Sequence, residues 1–148
     1  MATTLSATGS RVFLVDDASD VRRRLARLIA LIPGVEIAGE SAGVEHAFDI
    51  IVASRANVAV LDPCFSGKTN LRLLAALARV RPSIVSIVLT NHCATAFRRA
   101  CEAAGADFFF DKTSEFKLAC HAIEAIAYVR RAQSACPPGA DHASCSSL

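Results

Sequence analysis

The sequence has almost no excess of charge of either sign. Its 16 Lys and Arg residues stand against 14 Asp and Glu residues, which leaves a net charge of +2. This balance gives no reason to expect direct binding to nucleic acid or to a membrane surface. Aromatic residues are also scarce, at 6% of a sequence that is 53% hydrophobic. The apolar content is therefore mostly Ala, Val, Leu and Ile, which is typical of helices packed on a buried sheet.

Recognisable export and membrane segments are lacking as well. The N-terminal stretch "MATTLSATGS" has neither the basic start nor the apolar segment of a signal peptide. The apolar stretch "LARLIALIPGVEIAG" is interrupted by an Arg, a Pro and a Glu, so it does not have the length of uninterrupted apolar sequence that spans a bilayer. We therefore expect a cytoplasmic protein.

The cysteines form no C-x-x-C pair, and their spacing does not match a zinc site. In a cytoplasmic protein we expect them to be free thiols, and a disulfide between Cys136 and Cys145 is left open. The six cysteines are Cys64, Cys93, Cys101, Cys120, Cys136 and Cys145.

Predicted strands and helices alternate along the chain as five strand–helix units. Short apolar or alternating runs predict strands at 11–16, 35–40, 58–62, 84–90 and 107–112. Apolar residues at helical spacing follow each strand, the first series being Val21, Leu25, Leu28 and Ile32, and helices are predicted over 69–80 and 115–132. Strict alternation predicts an α/β fold with a doubly wound parallel sheet and helices on both faces, in one domain.

Polar residues stand at the ends of four of the predicted strands. In "VFLVDDASD" the first strand runs into Asp16 and Asp17, and the third, fourth and fifth strands end in Asp62, Thr90 and Lys112. The carboxyl ends of parallel strands share one edge of a sheet, where such folds bind their ligands. Three carboxylates there repel one another without a cation, and hard oxygen ligands suit Mg²⁺. Lys and Thr side chains can hold phosphoryl oxygens, and an Asp can itself accept a phosphoryl group. Taken alone, the acidic pair favours an exposed turn, and it is the matching strand ends at Asp62, Thr90 and Lys112 that favour a phosphoryl site.

These strand ends, together with "IPGVEIAGES" and "FFFDK", resemble the receiver domain of two-component response regulators. The resemblance covers about residues 10–132. It implies a flavodoxin-like fold, whose five-stranded parallel sheet has the strand order 2-1-3-4-5. We expect a flexible N-terminus at residues 1–10, a receiver domain at 11–132 and a disordered tail at 133–148, which is rich in Ser, Ala, Gly and Pro. The 16 residues after Ala132 are too few for a DNA-binding unit, although a fragment of a DNA-binding regulator is left open.

The resemblance also assigns site residues by position. Asp62 is the implied phosphoacceptor, and Lys112 pairs with the phosphoryl oxygens. The implied Mg²⁺ ligands are Asp17 directly, Asp16 mainly through water, Asp62, and the backbone carbonyl of Cys64. Thr90 would turn inward on phosphorylation, and Phe109 would be the aromatic switch residue.

Four positions depart from the pattern of the family. Receivers usually carry Pro and Gly four and eight residues after the phosphoacceptor, where this chain has Ser66 and Asn70. A small residue usually follows the switch Thr and a Pro usually follows the Lys, and here these are Asn91 and Thr113. These departures bear on the shape of the loops and on the lifetime of the phosphoryl group.

The function implied is that of a phosphoacceptor. A histidine kinase or a histidine phosphotransfer protein would donate the phosphoryl group to Asp62, and a downstream effector protein would read the change of shape. The chain would catalyse only its own phosphorylation and dephosphorylation, and a homodimer is left open. The Arg-rich first helix is either a solvated face or the docking site of the kinase.

Two rivals come from other classes. One is a pseudo-receiver, an interaction module that works without phosphorylation. The other is a phosphatase with an aspartyl-phosphate intermediate, which ranks low because such enzymes need a second Asp where this chain has Cys64. His92, two residues after Thr90, is either a group near the phosphoryl site or a plain loop histidine.

Overall fold

The computed structural model of the protein describes residues 9–80 and 83–134. The predictions for residues 1–8, for most of the tail and for the pair Cys136 and Cys145 lie outside the described residues. The described part has seven strands and five helices, which alternate except where three strands follow one another before the third helix. The strands are β1 Ser10–Val15, β2 Val35–Ser41, β3 Val58–Leu61, β4 Cys64–Phe65, β5 Lys68–Thr69, β6 Val85–Thr90 and β7 Phe108–Asp111. The helices are α1 Ser19–Ala30, α2 Ala47–Ala53, α3 Arg72–Arg79, α4 Thr95–Ala104 and α5 Phe116–Ser134.

The main sheet has five strands in the order β2-β1-β3-β6-β7, and every neighbouring pair is parallel. Once the short strands β4 and β5 are set aside, this is the predicted order 2-1-3-4-5, and the predicted fold is confirmed. All four residues of β3 are buried. A central strand of a parallel sheet is covered by helices on both faces, so it reads as a continuous apolar run.

Successive residues of each strand contribute to two separate hydrophobic cores, one on each face of the sheet, because side chains alternate across a sheet. On β1, Phe13 and Val15 pack toward α2, α3 and α4, whereas Val12 and Leu14 pack toward α1 and α5. The first core includes Ile51, Leu74, Leu77 and Cys101. The second includes Leu25, Ile29, Phe116 and Ile123. Packing in the two cores holds the strands in place, and this positions the sheet edge at which the strand-end residues meet.

An unpredicted hairpin changes the segment after β3. The predicted helix at 69–80 begins only at Arg72, because Cys64–Phe65 and Lys68–Thr69 pair as antiparallel strands. Ser66 and Gly67 connect them with φ angles of 52° and 77°. Two positive φ angles are typical of the two-residue turns whose twist matches a hairpin. The hairpin lies beside the predicted phosphoacceptor, so it belongs to the surroundings of the site.

Helix α1 differs in detail from prediction, and the start of α2 has a local cause. The structure buries Leu25 and Ile29 on α1, whereas Leu28, which the predicted stripe included, is 36% exposed. Helix α2 begins at Ala47, directly after His46, whose left-handed φ of 61° interrupts a helix. Among the described residues, no helix is both long and apolar enough to cross a membrane.

Candidate functional site

The structure brings the predicted strand-end residues to one edge of the sheet. Asp16 follows β1, Asp62 follows β3, Thr90 ends β6, and Lys112 follows β7. Asp16, Asp62 and Thr90 are 3%, 6% and 1% exposed, so three polar side chains are buried there. Buried polar groups of this kind require partners, and the partners identify what the site can do.

Lys112 joins the two buried carboxylates. Its Nζ atom lies 2.7 Å from Asp16 Oδ2 and 2.5 Å from Asp62 Oδ2. Burial by itself lowers the pKa of the Lys112 ammonium, but the hydrogen bonds to both carboxylates and their charges outweigh burial and raise the pKa above its ordinary value. The backbone N–H of Lys112 also donates to the carbonyl of Thr90 at 2.9 Å, which fixes the lysine to the end of β6.

Backbone amides hold the other oxygen of each buried carboxylate. Cys64 donates its backbone N–H to Asp62 Oδ1 at 2.9 Å, and Ala18 donates its own to Asp16 Oδ1 at 2.8 Å. Ala18 is also the N-cap residue of α1. Both carboxylates are therefore oriented by the chain and by Lys112 together.

Asp17 differs from its neighbour Asp16 because its side chain is exposed. Its Oδ2 atom accepts a long hydrogen bond of 3.4 Å from the backbone N–H of Ser66, at the turn of the β4–β5 hairpin. Asp17 lines an open cavity of about 490 Å³. The polar residues around this cavity include Asp62, Cys64, Thr90, His92 and Lys112.

The donor set fits a divalent cation by its chemistry. The carboxylates of Asp16, Asp17 and Asp62 carry three negative charges, and the Lys112 ammonium neutralises one of them. The site therefore keeps a net charge of −2, and its donor atoms are the hard oxygens that Mg²⁺ prefers. Across residues 9–80 and 83–134, no three His, Cys, Asp or Glu side chains converge as a ready-made metal centre. The buried carboxylates face Lys112 instead.

The Thr90 hydroxyl lies between His92 and Cys64. It accepts the backbone N–H of His92 at 3.2 Å and donates to Cys64 Sγ at 3.9 Å. Burial raises the pKa of the Cys64 thiol, and the charge of Asp62 raises it as well, so the thiol stays protonated at neutral pH. A protonated thiol is a poor metal ligand. The backbone carbonyl of Cys64 thus stays the predicted ligand.

Aromatic rings connect the cavity with the predicted switch residue. Phe109 is already buried, at 6% exposure, in the core that faces α4. Its ring packs edge-to-face on that of Phe97, with 6.2 Å between the ring centroids. The His92 ring packs on Phe97 in the same way, with 4.7 Å between the centroids. The guanidinium of Arg98 lies over Phe109 at 5.3 Å. The sequence did not predict this series of contacts, because it depends on the loop that returns His92 onto α4.

The sequence matches the family model of the response regulator receiver domain over residues 12–124. Among curated relatives, the nitrate/nitrite response regulator protein NarP of Escherichia coli K12 is 33% identical over 119 residues, which are 80% of this chain and 55% of NarP. The DNA-binding transcriptional activator DevR/DosR of Mycobacterium tuberculosis is 34% identical over 82 residues, which are 55% of this chain and 38% of that protein. The chain thus spans about half the length, or less, of these curated relatives.

Solved structures give the same result for the fold. A two-component response regulator of the LuxR family from Aurantimonas sp. SI85-9A1 is 28% identical with a TM-score of 0.72, over 83% of this chain and 88% of that chain. The receiver domain of the response regulator NarL from Mycobacterium tuberculosis has a TM-score of 0.71 at 24% identity, over 81% of this chain and 97% of that chain. With the family match over most of its length, the chain belongs to the response regulator receiver domain family of two-component signalling.

Proposed function

We propose that Asp62 accepts a phosphoryl group from a histidine kinase or a histidine phosphotransfer protein, and that a downstream effector protein reads the resulting change of shape. The observation that carries this proposal is the pair of ion contacts from Lys112 to the buried carboxylates of Asp16 and Asp62. Asp62 also lines the open cavity of about 490 Å³, so a donor can approach it. A cytoplasmic location is part of this proposal.

The chemistry of the transfer needs a nucleophile and a cation. A carboxylate oxygen of Asp62 forms the new bond to phosphorus as the bond from phosphorus to the donor's imidazole nitrogen breaks, and the imidazole leaves with the electron pair. The Lys112 ammonium, already in contact with Asp62, then faces the charge of the new oxygens. Asp16, Asp17, Asp62 and the carbonyl of Cys64 would hold Mg²⁺. A bound divalent cation would supply further stabilisation of the transferring negative charge.

The test of the proposal is a mass measurement. Incubation of the protein with acetyl phosphate and Mg²⁺ should add the mass of one phosphoryl group to the intact chain. The added group should be lost at alkaline pH, as expected of an acyl phosphate. An unchanged mass under these conditions would favour the pseudo-receiver alternative, which the β4–β5 hairpin supports because it occupies the loop where the sequence departs from the family.

Magnesium binding gives a separate prediction. Asp17→Ala should abolish binding of Mg²⁺ or Mn²⁺ while leaving the melting temperature nearly unchanged, because Asp17 is exposed and its loss removes repulsion from the acidic cluster. Broadening of amide NMR signals by Mn²⁺ is a suitable measurement, since the sequence has no Trp for fluorescence quenching. Asp20→Ala, which removes another exposed carboxylate of the same region, is the control and should bind as the parent does. Equal binding by Asp17→Ala and the parent would show that the metal assignment is wrong.

The switch gives a further prediction. Phosphorylated Asp62 would draw the Thr90 hydroxyl away from Cys64 Sγ, and we expect Phe109 and the neighbouring surface of α4, β7 and α5 to respond. Because Phe109 is already buried here, phosphorylation should stabilise or adjust its packing against Phe97 rather than carry the ring in from solvent. Beryllofluoride with Mg²⁺ should shift amide NMR signals within residues 94–118 of the parent.

Variants at Thr90 make this switch prediction specific. Thr90→Val keeps the volume of a side chain that is 1% exposed but removes the hydroxyl, so the distant shifts should largely disappear. Thr90→Ser keeps the hydroxyl and should retain them. Parent shifts confined to the loops around Asp62 would contradict the proposed switch.

Helix α1 is the surface that we assign to the kinase. Three of its four arginines, Arg23, Arg24 and Arg27, are exposed. Arg22 contacts Glu40 at 3.2 Å, and the guanidinium of Arg24 lies 4.4 Å from the centre of the Phe116 ring. Leu28 and Leu31 are exposed beside them, at 36% and 79%. Apolar side chains rimmed by cations suit a protein partner. The N-terminal end of α1 directly follows the acidic pair at the acceptor edge, which suits the phosphoryl donor.

Enzymatic activity on other substrates is not part of the proposal. The chain is 34% identical over 101 residues to a protein-glutamate methylesterase of Carboxydothermus hydrogenoformans, but it covers 29% of that enzyme. DevR/DosR is a DNA-binding transcriptional activator, and this chain likewise covers only 38% of that protein. We therefore restrict the proposal to phosphoryl transfer at Asp62 and its reading by partners.

A further inference from the structure

A side-chain hydrogen bond joins the two loops that carry the site. Thr113 Oγ1 donates to Asn91 Oδ1 at 2.9 Å. Asn91 directly follows Thr90, and Thr113 directly follows Lys112. The backbone N–H of Lys112 donates to the carbonyl of Thr90 at 2.9 Å, so a second connection runs beside the first. The two loops are tied together at neighbouring positions.

The Thr113 end of this bond is firmly held. Asp111 Oδ1 accepts the backbone N–H groups of Thr113 at 2.7 Å and of Ser114 at 3.2 Å, and these bonds lower the pKa of Asp111. Glu115 Oε1 in turn accepts the backbone N–H of Asp111 at 2.9 Å. Residues 91–95 are all exposed, and so are Thr113 and Ser114, so the two sides differ in the hydrogen bonds that Asp111 accepts and not in burial. Thr113 is therefore the fixed anchor of the bond, and Asn91 is its movable end.

The bond also separates two cavities. The cavity that contains Asp62 and a second one of about 360 Å³ are both lined by Asn91 and Lys112. Thr113 lines the second cavity, together with Arg24 and Phe116. Asn91, Lys112 and Thr113 thus form the wall between them, and any movement of Asn91 alters the surroundings of the Lys112 ammonium.

We propose that Asn91 and Thr113 are positioning residues whose hydrogen bond, the Asn91–Thr113 latch, stabilises the resting arrangement of Thr90 and Lys112. This inference rests on the proposed function. When Thr90 turns toward a phosphoryl oxygen, the adjacent Asn91 moves with it, whereas Thr113 stays anchored by Asp111. The latch must then lengthen or break, so it opposes activation.

The experiment measures the affinity of the protein for beryllofluoride in the presence of Mg²⁺. Thr113→Val removes the donor hydroxyl at nearly constant volume, and Asn91→Ala removes the acceptor. Each variant should bind about fivefold more tightly than the parent, which corresponds to the usual net contribution of one hydrogen bond. The double variant should gain no more than either single variant, because both changes remove the same bond. Thr113→Ser keeps the hydroxyl and should bind as the parent does.

The outcomes separate this inference from the proposed function. Unchanged or weaker binding in the single variants, or gains that add in the double variant, would overturn the latch. A shift of the melting temperature that accounts for the affinity change would do the same, because it would indicate general loosening. A parent protein that does not bind beryllofluoride at all would overturn the proposed phosphoacceptor function instead.

Discussion

Replacing Asp62 with Asn is expected to abolish phosphoryl uptake by the chain, because an amide oxygen does not replace a carboxylate as the nucleophile. The substitution conserves shape: an Asn side-chain oxygen can still accept the backbone N–H of Cys64, which Asp62 Oδ1 now accepts at 2.9 Å. The fold should persist, since Lys112 keeps its contact of 2.7 Å with Asp16. Intact mass after incubation with acetyl phosphate and Mg²⁺ measures the effect directly.

A matched control distinguishes the acceptor from any exposed carboxylate. Asp49 is exposed on α2, which follows the edge strand β2, and it does not line the cavity that contains Asp62, so Asp49→Asn should gain one phosphoryl group as the parent does. Full mass addition to Asp62→Asn would show that another group is the acceptor. Asp16 and Asp17 would then be the first alternatives to examine, since both follow the neighbouring strand β1.

The sequence allowed the meeting of the strand ends to be predicted, because their polar residues directly follow or end continuous apolar runs. Val58–Leu61 reads as a buried strand on composition alone, and Asp62 is its first polar neighbour. Parallel pairing then determines which strand ends meet, and the register confirms it: Thr90 pairs with Asp111, immediately before Lys112. Which side chains contact one another within the site could not be predicted from the sequence, because the ion pairs of Lys112 depend on side-chain conformation.

The β4–β5 hairpin was missed for a physical reason. A two-residue strand is too short to show alternation, and the helix that follows begins with apolar residues that extend the helical pattern back to residue 69. The dipeptide Ser66–Gly67 is a turn signal, but the sequence does not show that Cys64 and Thr69 pair across it. The hairpin therefore becomes visible only through its pairing.

The buried face of α1 could not be settled from periodicity either. A helix with 3.6 residues per turn places both Leu28 and Ile29 near the stripe that starts at Leu25. Packing against β1 and α5 selects Ile29, which is fully buried, and leaves Leu28 partly exposed. Such choices depend on the crossing of the helix over the sheet, which a single sequence does not specify.

Replacing Lys112 with Met is expected to lower the free energy of unfolding at neutral pH by about 3 kcal/mol, because breaking a buried ion pair leaves carboxylates without compensation. The side chains of Asp16 and Asp62 are 5% and 8% exposed, and the Lys112 side chain is 11% exposed, so water does not substitute well for the ammonium. Urea denaturation measures the change. Lys117→Met, at an exposed lysine of α5, is the control and should change stability by less than about 0.5 kcal/mol.

A second substitution tests whether the loss comes from the buried charges. Adding Asp62→Asn to Lys112→Met removes one of the two uncompensated carboxylates, so the double variant should be more stable than Lys112→Met alone. A double variant that loses the sum of both single effects would show that Lys112 acts through packing. A Lys112→Met protein as stable as the parent would contradict the electrostatic role of this lysine.

The pH dependence of the same comparison follows from the raised pKa of Lys112. A lysine whose pKa is higher in the folded protein than in the unfolded chain contributes stability that is fully present below the unfolded pKa, about 10.4. That contribution is lost as the pH rises through the higher pKa of the folded state. The difference in unfolding free energy between the parent and Lys112→Met should therefore be constant from pH 7 to about pH 9.5 and decrease only above about pH 10.5. A difference that disappears between pH 7 and pH 9 would mean that the ammonium is not held by Asp16 and Asp62 as the structure shows.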